Sequence, residues 1–173
     1  THRPATLGLS GPPANRRIAD EAEHAEIEQQ LDRSIELSPR DLVDRMDRAA
    51  FRLDHGDPEG AAADLRALAD AYPSAYLRVL AQRYAELDRD SDGHDHLAAH
   101  DLPEPKTDPD RYIAAFHALR SKTLDGYQQA DQLLAPAAER GFVPARSLRL
   151  LSSLVQANIT QDPEQRLAAF RRV

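Results

Sequence analysis

Cysteine is absent from the chain, which excludes disulfides, zinc–thiolate sites and cysteine nucleophiles. Aromatic residues are scarce as well, at 5% of the sequence. Strands favour tyrosine, phenylalanine and β-branched residues, so this scarcity disfavours a sheet-based fold. The abundant alanine, leucine, arginine and acidic residues instead favour helices that pack through small side chains.

Positive charge is limited, and the net charge of −7 argues against a general nucleic-acid binder, because phosphate contacts need clustered basic side chains. Lysine occurs only as Lys106 and Lys122. The arginine bias suits planar pairing with carboxylates, and it is equally expected from a GC-rich genome. No apolar run approaches the ~20 residues that span a bilayer, so no membrane-spanning segment is expected. The cellular compartment stays open.

The spacing of apolar residues divides the chain into two regions. Residues 1–14 contain prolines and glycines without an apolar period, which predicts a flexible N-terminal segment. Residues 15–173 repeat apolar side chains at spacings of three and four, which predicts a domain of amphipathic helices. An acidic, histidine-rich stretch at 88–107 interrupts this rhythm and is expected to be an irregular loop. The expected helices cover about 16–37, 39–55, 58–72, 74–87, 109–121, 127–140, 144–157 and 163–173.

Proline marks several of the expected helix starts. Asp-Pro pairs begin at Asp57, Asp108 and Asp162, where aspartate suits an N-cap and proline suits the first helical position. Pro39 is expected to begin the second helix in the same way. Short helices with one apolar face each cannot fold singly, so they must stack.

The segment Leu31–Pro73 resembles a tetratricopeptide repeat, a helix pair with a period of ~34 residues. Pro39 and Pro73 are separated by that period and occupy the place of the repeat's terminal proline. Gly56 matches the turn between the two helices. The small residues of the helix pair are matched by Ala49 and Ala61, and its large core positions by Leu65 and Leu68. Arg45 departs from the pattern, since an early aromatic residue is usual there.

The second half of the chain, from Asp125, is similar to a Sel1-like repeat. The joining phrase of that repeat appears as Ala137-Ala138-Glu139-Arg140-Gly141, and Ala145 follows at the start of the next helix. Pro136 departs from the pattern and is expected to kink its helix. Residues 88–107 match neither family.

Both resemblances imply an all-α fold, a right-handed solenoid of antiparallel helix pairs with about seven to eight helices. In such folds the first helices of the pairs line a groove that holds a peptide or another protein. The expected function is therefore a non-catalytic protein- or peptide-binding scaffold, as an assembly or accessory factor of a larger bacterial complex.

Three arginines of the second helix are the candidate partner-binding residues. Arg45, Arg48 and Arg52 are three and four apart and share one face, and Arg78 on a later helix extends the patch. Guanidinium groups there would pair with carboxylates of a peptide. The alternative is a solvated face that is paired with the neighbouring Asp44, Asp47 and Asp54.

A partial calcium-loop pattern lies in the irregular stretch. Asp88, Asp90, Asp92 and Gly93 reproduce its D-x-D-x-D-G opening, which supplies hard oxygen ligands and a sharp turn. The twelfth position, which normally provides a bidentate glutamate, is Ala99. The alternative is an acidic, solvated loop.

Histidines in the same stretch form a second candidate metal site. His96 and His100 would share a helical face beside His94, and zinc accepts such nitrogen ligands together with carboxylates. The alternative function is therefore a regulatory module that responds to calcium or zinc through residues 88–101. Surface histidines without a metal are the other explanation.

The sequence lacks the common motifs for catalysis and cofactor binding. The glycines occur singly at turns, without G-x-G-x-x-G or a Walker sequence, and no serine lies in a G-x-S-x-G elbow. We therefore expect no catalytic residue and no cofactor. His117, beside Ile113 and Phe116, is expected to be packed or hydrogen-bonded.

Overall fold

A computed structural model of the chain describes residues 14–87 and 102–159. In these two stretches the chain forms seven α-helices and no strand, which confirms the all-α prediction for the part described. The helices are α1 Ala14–Leu37, α2 Leu42–Asp54, α3 Pro58–Ala71, α4 Ala75–Ala85, α5 Asp108–Arg120, α6 Leu124–Glu139 and α7 Val143–Ile159. Residues 1–13, most of the expected loop at 88–107, and the helix expected from residue 163 lie outside the described residues.

The starts of α2 and α5 differ from the prediction. Asp41 caps α2 by accepting hydrogen bonds from the backbone N–H groups of Val43 at 2.8 Å and Asp44 at 3.1 Å. Because Asp41 supplies this cap, α2 begins at Leu42, and Pro39 lies in the preceding turn instead of at the first helical position. In α5 the cap is Thr107, and Asp108 is already helical.

A capping box fixes the start of α5. The Thr107 hydroxyl accepts from the Asp110 N–H at 3.2 Å, and the Asp110 carboxylate accepts from the Thr107 N–H at 3.0 Å. Of the two Asp-Pro pairs that the structure describes, the first has aspartate as the cap: Asp57 accepts from the Gly60 N–H at 2.9 Å. Asp162 lies outside the described residues.

Two glycines end helices in the same way. Gly56 and Gly141 have positive φ angles of 76° and 89°, a conformation that suits glycine. After α2, the N–H groups of Gly56 and Asp57 donate to the carbonyls of Leu53 and Arg52, and equivalent bonds close α6 at Gly141 and Phe142. Both ends are Schellman motifs. The turns at Gly56 and Gly141 lie at the positions where turns between helices were expected from the sequence.

The helices pack mainly on their neighbours in the chain. α1 packs on α2, α2 on α3, α3 on α4, α5 on α6 and α6 on α7, and α5 also touches α7. The core positions of the expected repeat are buried, as are leucines of α4 and apolar residues in the second half: Ala49, Ala61, Leu65, Leu68, Leu77, Leu80, Ile113 and Leu134. The largest fully buried apolar side chains are Met46, Leu65, Leu68, Leu77, Leu80, Ile113 and Leu134.

Helix α1 is the exception to this pattern. Among the side chains of α1 that the structure describes, Ile35 is the one buried apolar residue, and Ile27 is 36% exposed. Polar contacts to α2 therefore account for much of its packing. One is a 2.5 Å hydrogen bond from the Ser34 hydroxyl to Asp44.

Side chains of α4 and α5 join the two halves of the fold. Ser74 caps α4, and its hydroxyl donates to the Asp110 carboxylate in the capping box of α5. Both side chains are buried. Further along, the Tyr84 hydroxyl lies 2.9 Å from Nε2 of His117. These contacts orient the start of α5 against α4.

Candidate functional site

The three arginines proposed as a binding face converge on one buried carboxylate. Asp64 of α3 is 1% exposed. It accepts hydrogen bonds from Nε and Nη2 of Arg48, with Nε at 3.0 Å from Oδ2. Nη1 of Arg52 lies 3.0 Å from Oδ2, and Nη1 of Arg45 lies 3.5 Å from Oδ1. Asp64 therefore holds the arginines of α2 against α3.

Helix α1 supplies two further carboxylates to this cluster. Asp32 accepts a hydrogen bond from Nη1 of Arg48, and Glu28 accepts one from Nε of Arg52 at 3.1 Å. The hydrogen bond to Asp64 is the main cause that raises the pKa of Arg48, and the bond to Asp32 adds to it. Both side chains are largely buried: 14% of the Arg48 side chain and 19% of the Arg52 side chain are exposed. We call this group the arginine cluster: Glu28, Asp32, Arg45, Arg48, Arg52 and Asp64.

These partners are not the neighbouring acidic residues of α2 that the alternative interpretation named. The arginines pair with carboxylates of α1 and α3, whereas Asp44 accepts from Ser34 and Asp54 accepts from Arg120. Arg78 is exposed on α4, where its Nε donates to the Ser74 carbonyl at 3.3 Å. Sequence spacing identifies residues on one helical face, but it does not show which residues of another helix face them.

The candidate metal ligands are not described by the structure. Asp88, Asp90, Asp92, His96 and His100 all lie within 88–101, outside the described residues. Among the side chains that the structure describes, no group of three or more histidine, aspartate or glutamate residues is arranged to hold a metal ion.

A cleft of about 480 Å³ lies where the two halves of the fold meet. One wall is the segment 102–105, and the others are the end of α5 and the first half of α6. Its apolar lining comprises Leu53, Leu102, Ala114, Ala118 and Leu133, and its polar lining includes Tyr76, His117, Arg120, Thr123, Asp125 and Gln129.

Local sequence explains the shape of this cleft. Pro103 and Pro105 lack backbone N–H donors, which keeps the wall out of the helix that follows. The wall ends where Asp110 accepts from the Lys106 N–H at 3.2 Å. At the base, Gly126 lets α6 approach α5 closely, because a Cβ there would lie 2.4 Å from the Ala118 carbonyl oxygen.

Two ionisable groups of the cleft are held in their neutral forms. Burial, with the positive charge of Arg120, lowers the pKa of His117 to about 3. Burial, with the charge of Asp110, raises the pKa of Tyr76 to about 12. The guanidinium of Arg120 is paired with Asp54. His117 and Tyr76 are therefore neutral hydrogen-bonding groups near neutral pH.

The cleft could not be predicted from the sequence, because residues of α2, α4, α5, α6 and the segment 102–105 meet only in the folded chain.

Among the helices described, none combines the length and apolar character needed to cross a membrane. Comparisons of the chain with protein-family models, with curated proteins and with solved structures gave no match.

Proposed function

We propose that the chain is a non-catalytic scaffold of the tetratricopeptide/Sel1 type that holds a peptide segment of a protein partner in the cleft between its two halves. The observation that carries this proposal is the cleft itself, an open cavity of about 480 Å³ with an apolar lining and a few polar side chains. Ligand sites typically have volumes of ~300–1,000 Å³ and this mixed lining.

The helix arrangement supports a repeat architecture. The Schellman turns at Gly56 and Gly141 fall where the resemblance places the turns between paired helices. Contacts between neighbouring helices, and the contact of α5 with α7, are what a stack of helix pairs requires.

The state of the arginine cluster favours the cleft over the arginine face as the binding site. A carboxylate arriving at Arg48 or Arg52 would have to displace Asp32 or Glu28, and Asp64 would remain in place. The cleft requires no such exchange. Its apolar residues, such as Leu102 and Leu133, would receive a side chain of an extended peptide.

The polar lining provides the means to orient a peptide backbone. The side-chain amide of Gln129 has both a donor and an acceptor, and Gln129 is exposed on α6. The hydroxyl of Tyr76 and the carboxylate of Asp125 lie in the same lining. An apolar anchor with a few fixed polar contacts is a common mode of peptide recognition.

The test uses a displayed library of random peptides, selected on the purified chain, and two tryptophan variants. Gln129→Trp fills the cleft from an exposed position and leaves the core unchanged. Gln128→Trp adds the same side chain at the adjacent exposed position, outside the cleft lining. Circular dichroism checks that both variants keep the helical content of the wild type.

We expect selected peptides to bind the wild type and Gln128→Trp equally and to lose at least about tenfold in affinity for Gln129→Trp, a change of ~1.4 kcal/mol. Equal binding to both variants would place the peptide elsewhere. Failure of the library to yield any specific peptide would argue against peptide recognition by this chain.

A further inference from the structure

Two histidines from different elements meet at one end of α2. His24 lies on α1, and His55 is the C-cap of α2. Their Nε2 atoms are 3.0 Å apart, and the ring centroids are separated by 4.0 Å. Both residues are exposed, so water reaches the pair. Neither histidine belongs to the arginine cluster or to the cleft.

A backbone contact fixes the orientation and the tautomer of one ring. Nδ1 of His55 lies 2.6 Å from the carbonyl oxygen of Phe51, which accepts hydrogen bonds only. Nδ1 of His55 therefore carries the hydrogen, and in the neutral ring Nε2 has a free lone pair directed toward His24. The Phe51 ring packs against the His55 ring, with centroids 4.1 Å apart. Metal-binding histidines are commonly oriented by such a bond from the other ring nitrogen.

The separation of the two nitrogen atoms matches a specific coordination angle. With a metal–nitrogen bond of ~2.1 Å, two ligands at a right angle have nitrogen atoms ~3.0 Å apart, whereas tetrahedral ligands are ~3.4 Å apart. Right angles between neighbouring ligands are typical of nickel and copper sites. Without a metal, and with both rings neutral, Nε2 of His24 must donate a hydrogen bond to Nε2 of His55.

We propose that His24 and His55 form a binding site for a divalent transition-metal ion with right-angle coordination, such as Ni²⁺, with water in the remaining positions. The ion takes the place of the hydrogen bond between the two rings. The hydrogen on Nε2 of His24 leaves to water and Nδ1 takes one up, so the ring stays neutral and the lone pairs of both Nε2 atoms bind the ion. No redox step is involved.

Binding would join α1 to the end of α2. Among the described side chains of α1, the polar contacts of Glu28, Asp32 and Ser34 and the buried Ile35 also hold the helix. A metal bridge adds a constraint at a second place along α1, because His24 lies one helical turn before Glu28. Hydrogen exchange in α1 should therefore slow when the ion binds.

The experiment uses the full chain with His2, His94, His96 and His100 all changed to glutamine, which leaves only His24, His55 and the neutral, half-buried His117. Ni²⁺ is the probe, measured by titration calorimetry and by hydrogen exchange of α1. In this background, His24→Gln and His55→Gln each remove one proposed ligand, and circular dichroism confirms that each variant is folded.

We expect one equivalent of Ni²⁺ to bind in the background chain and exchange within α1 to slow. Each single variant should weaken binding by more than about tenfold, since one imidazole then remains, and should abolish the slower exchange. The absence of Ni²⁺ binding in the background chain would overturn the proposal. Unchanged affinity in either single variant would overturn it as well, because the metal would then bind elsewhere.

Discussion

The guanidinium of Arg48 donates hydrogen bonds from two nitrogen atoms to the buried carboxylate of Asp64, across the interface between α2 and α3. Nη1 of the same guanidinium donates to Asp32 of α1. Arg48 therefore joins three helices, and Asp64 joins three arginines. This mutual pairing keeps a buried charge tolerable, because each charged group has hydrogen-bonding partners of opposite sign.

Asp64→Asn should lower the free energy of unfolding by about 3–5 kcal/mol, because it leaves three arginines without their shared counter-charge. Urea denaturation measures the change. Asp70→Asn is the control, because it removes the same charge from an exposed position on the same helix. Its effect should stay within about 0.5 kcal/mol. Equal effects of the two substitutions would contradict an energetic role of the arginine cluster.

Leu65→Ala should lower the free energy of unfolding by about 2–5 kcal/mol, because Leu65 is fully buried between helices. The matched control is Leu151→Ala on α7, where the leucine is 56% exposed. That change should cost less than about 1 kcal/mol. Thermal or urea unfolding of both variants measures the difference. A near-neutral effect of Leu65→Ala would contradict the burial of Leu65 between the helices.

Lys122→Gly should stabilise the chain by about 0.5–1 kcal/mol. Lys122 follows α5 with a φ of 53°, a left-handed conformation that disfavours side chains by ~1–2 kcal/mol. Glycine removes this cost, although it also makes the unfolded chain more flexible, which offsets part of the gain. An unchanged or lower melting temperature would show that the turn is not strained. Lys106→Gly, at a position with an ordinary φ, serves as the control and should not stabilise.

The pH dependence of stability should contain a contribution from His117. Its pKa is about 3 in the folded chain and near 6.5 when unfolded, so between these values the unfolded chain binds one more proton. The free energy of unfolding therefore falls as the pH falls from about 6.5 to about 3, by up to about 1.4 kcal/mol per pH unit. His117→Gln should remove this part of the slope. Urea unfolding at several pH values measures both slopes, and parallel profiles would contradict a neutral, half-buried imidazole at His117.

The repeat pattern of apolar residues predicted most of the helices, because the side chains that alternate at three and four positions do face the core in α2, α3 and α4. Helix starts were predicted less well. A threonine cap at Thr123 begins α6 three residues before the first expected position, since capping depends on the hydroxyl contact to the Gly126 N–H. Capping side chains are short-range signals that several nearby residues can supply.

The contacts of the candidate sites were largely unpredictable. Asp64 lies in an apolar helix face, and nothing in its spacing shows that it would face Arg48 from the next helix. The pairing of His24 with His55 depends on how α1 packs against α2, which an apolar pattern alone does not determine for a helix with one buried side chain among its described residues. The spacing of apolar residues shows which side chains share a helix face, whereas the residues that they contact on other helices depend on how the helices pack.

The most direct test of the proposed scaffold function is an NMR titration of the isotopically labelled chain with a selected peptide. We predict the largest shifts in the amides of residues 102–105 and of α6 near Gln129, with little change at Arg48 and Arg52. Shifts concentrated at Arg48, Arg52 and the facing residues of α1 would contradict the cleft as the binding site and would place the partner on the arginine cluster.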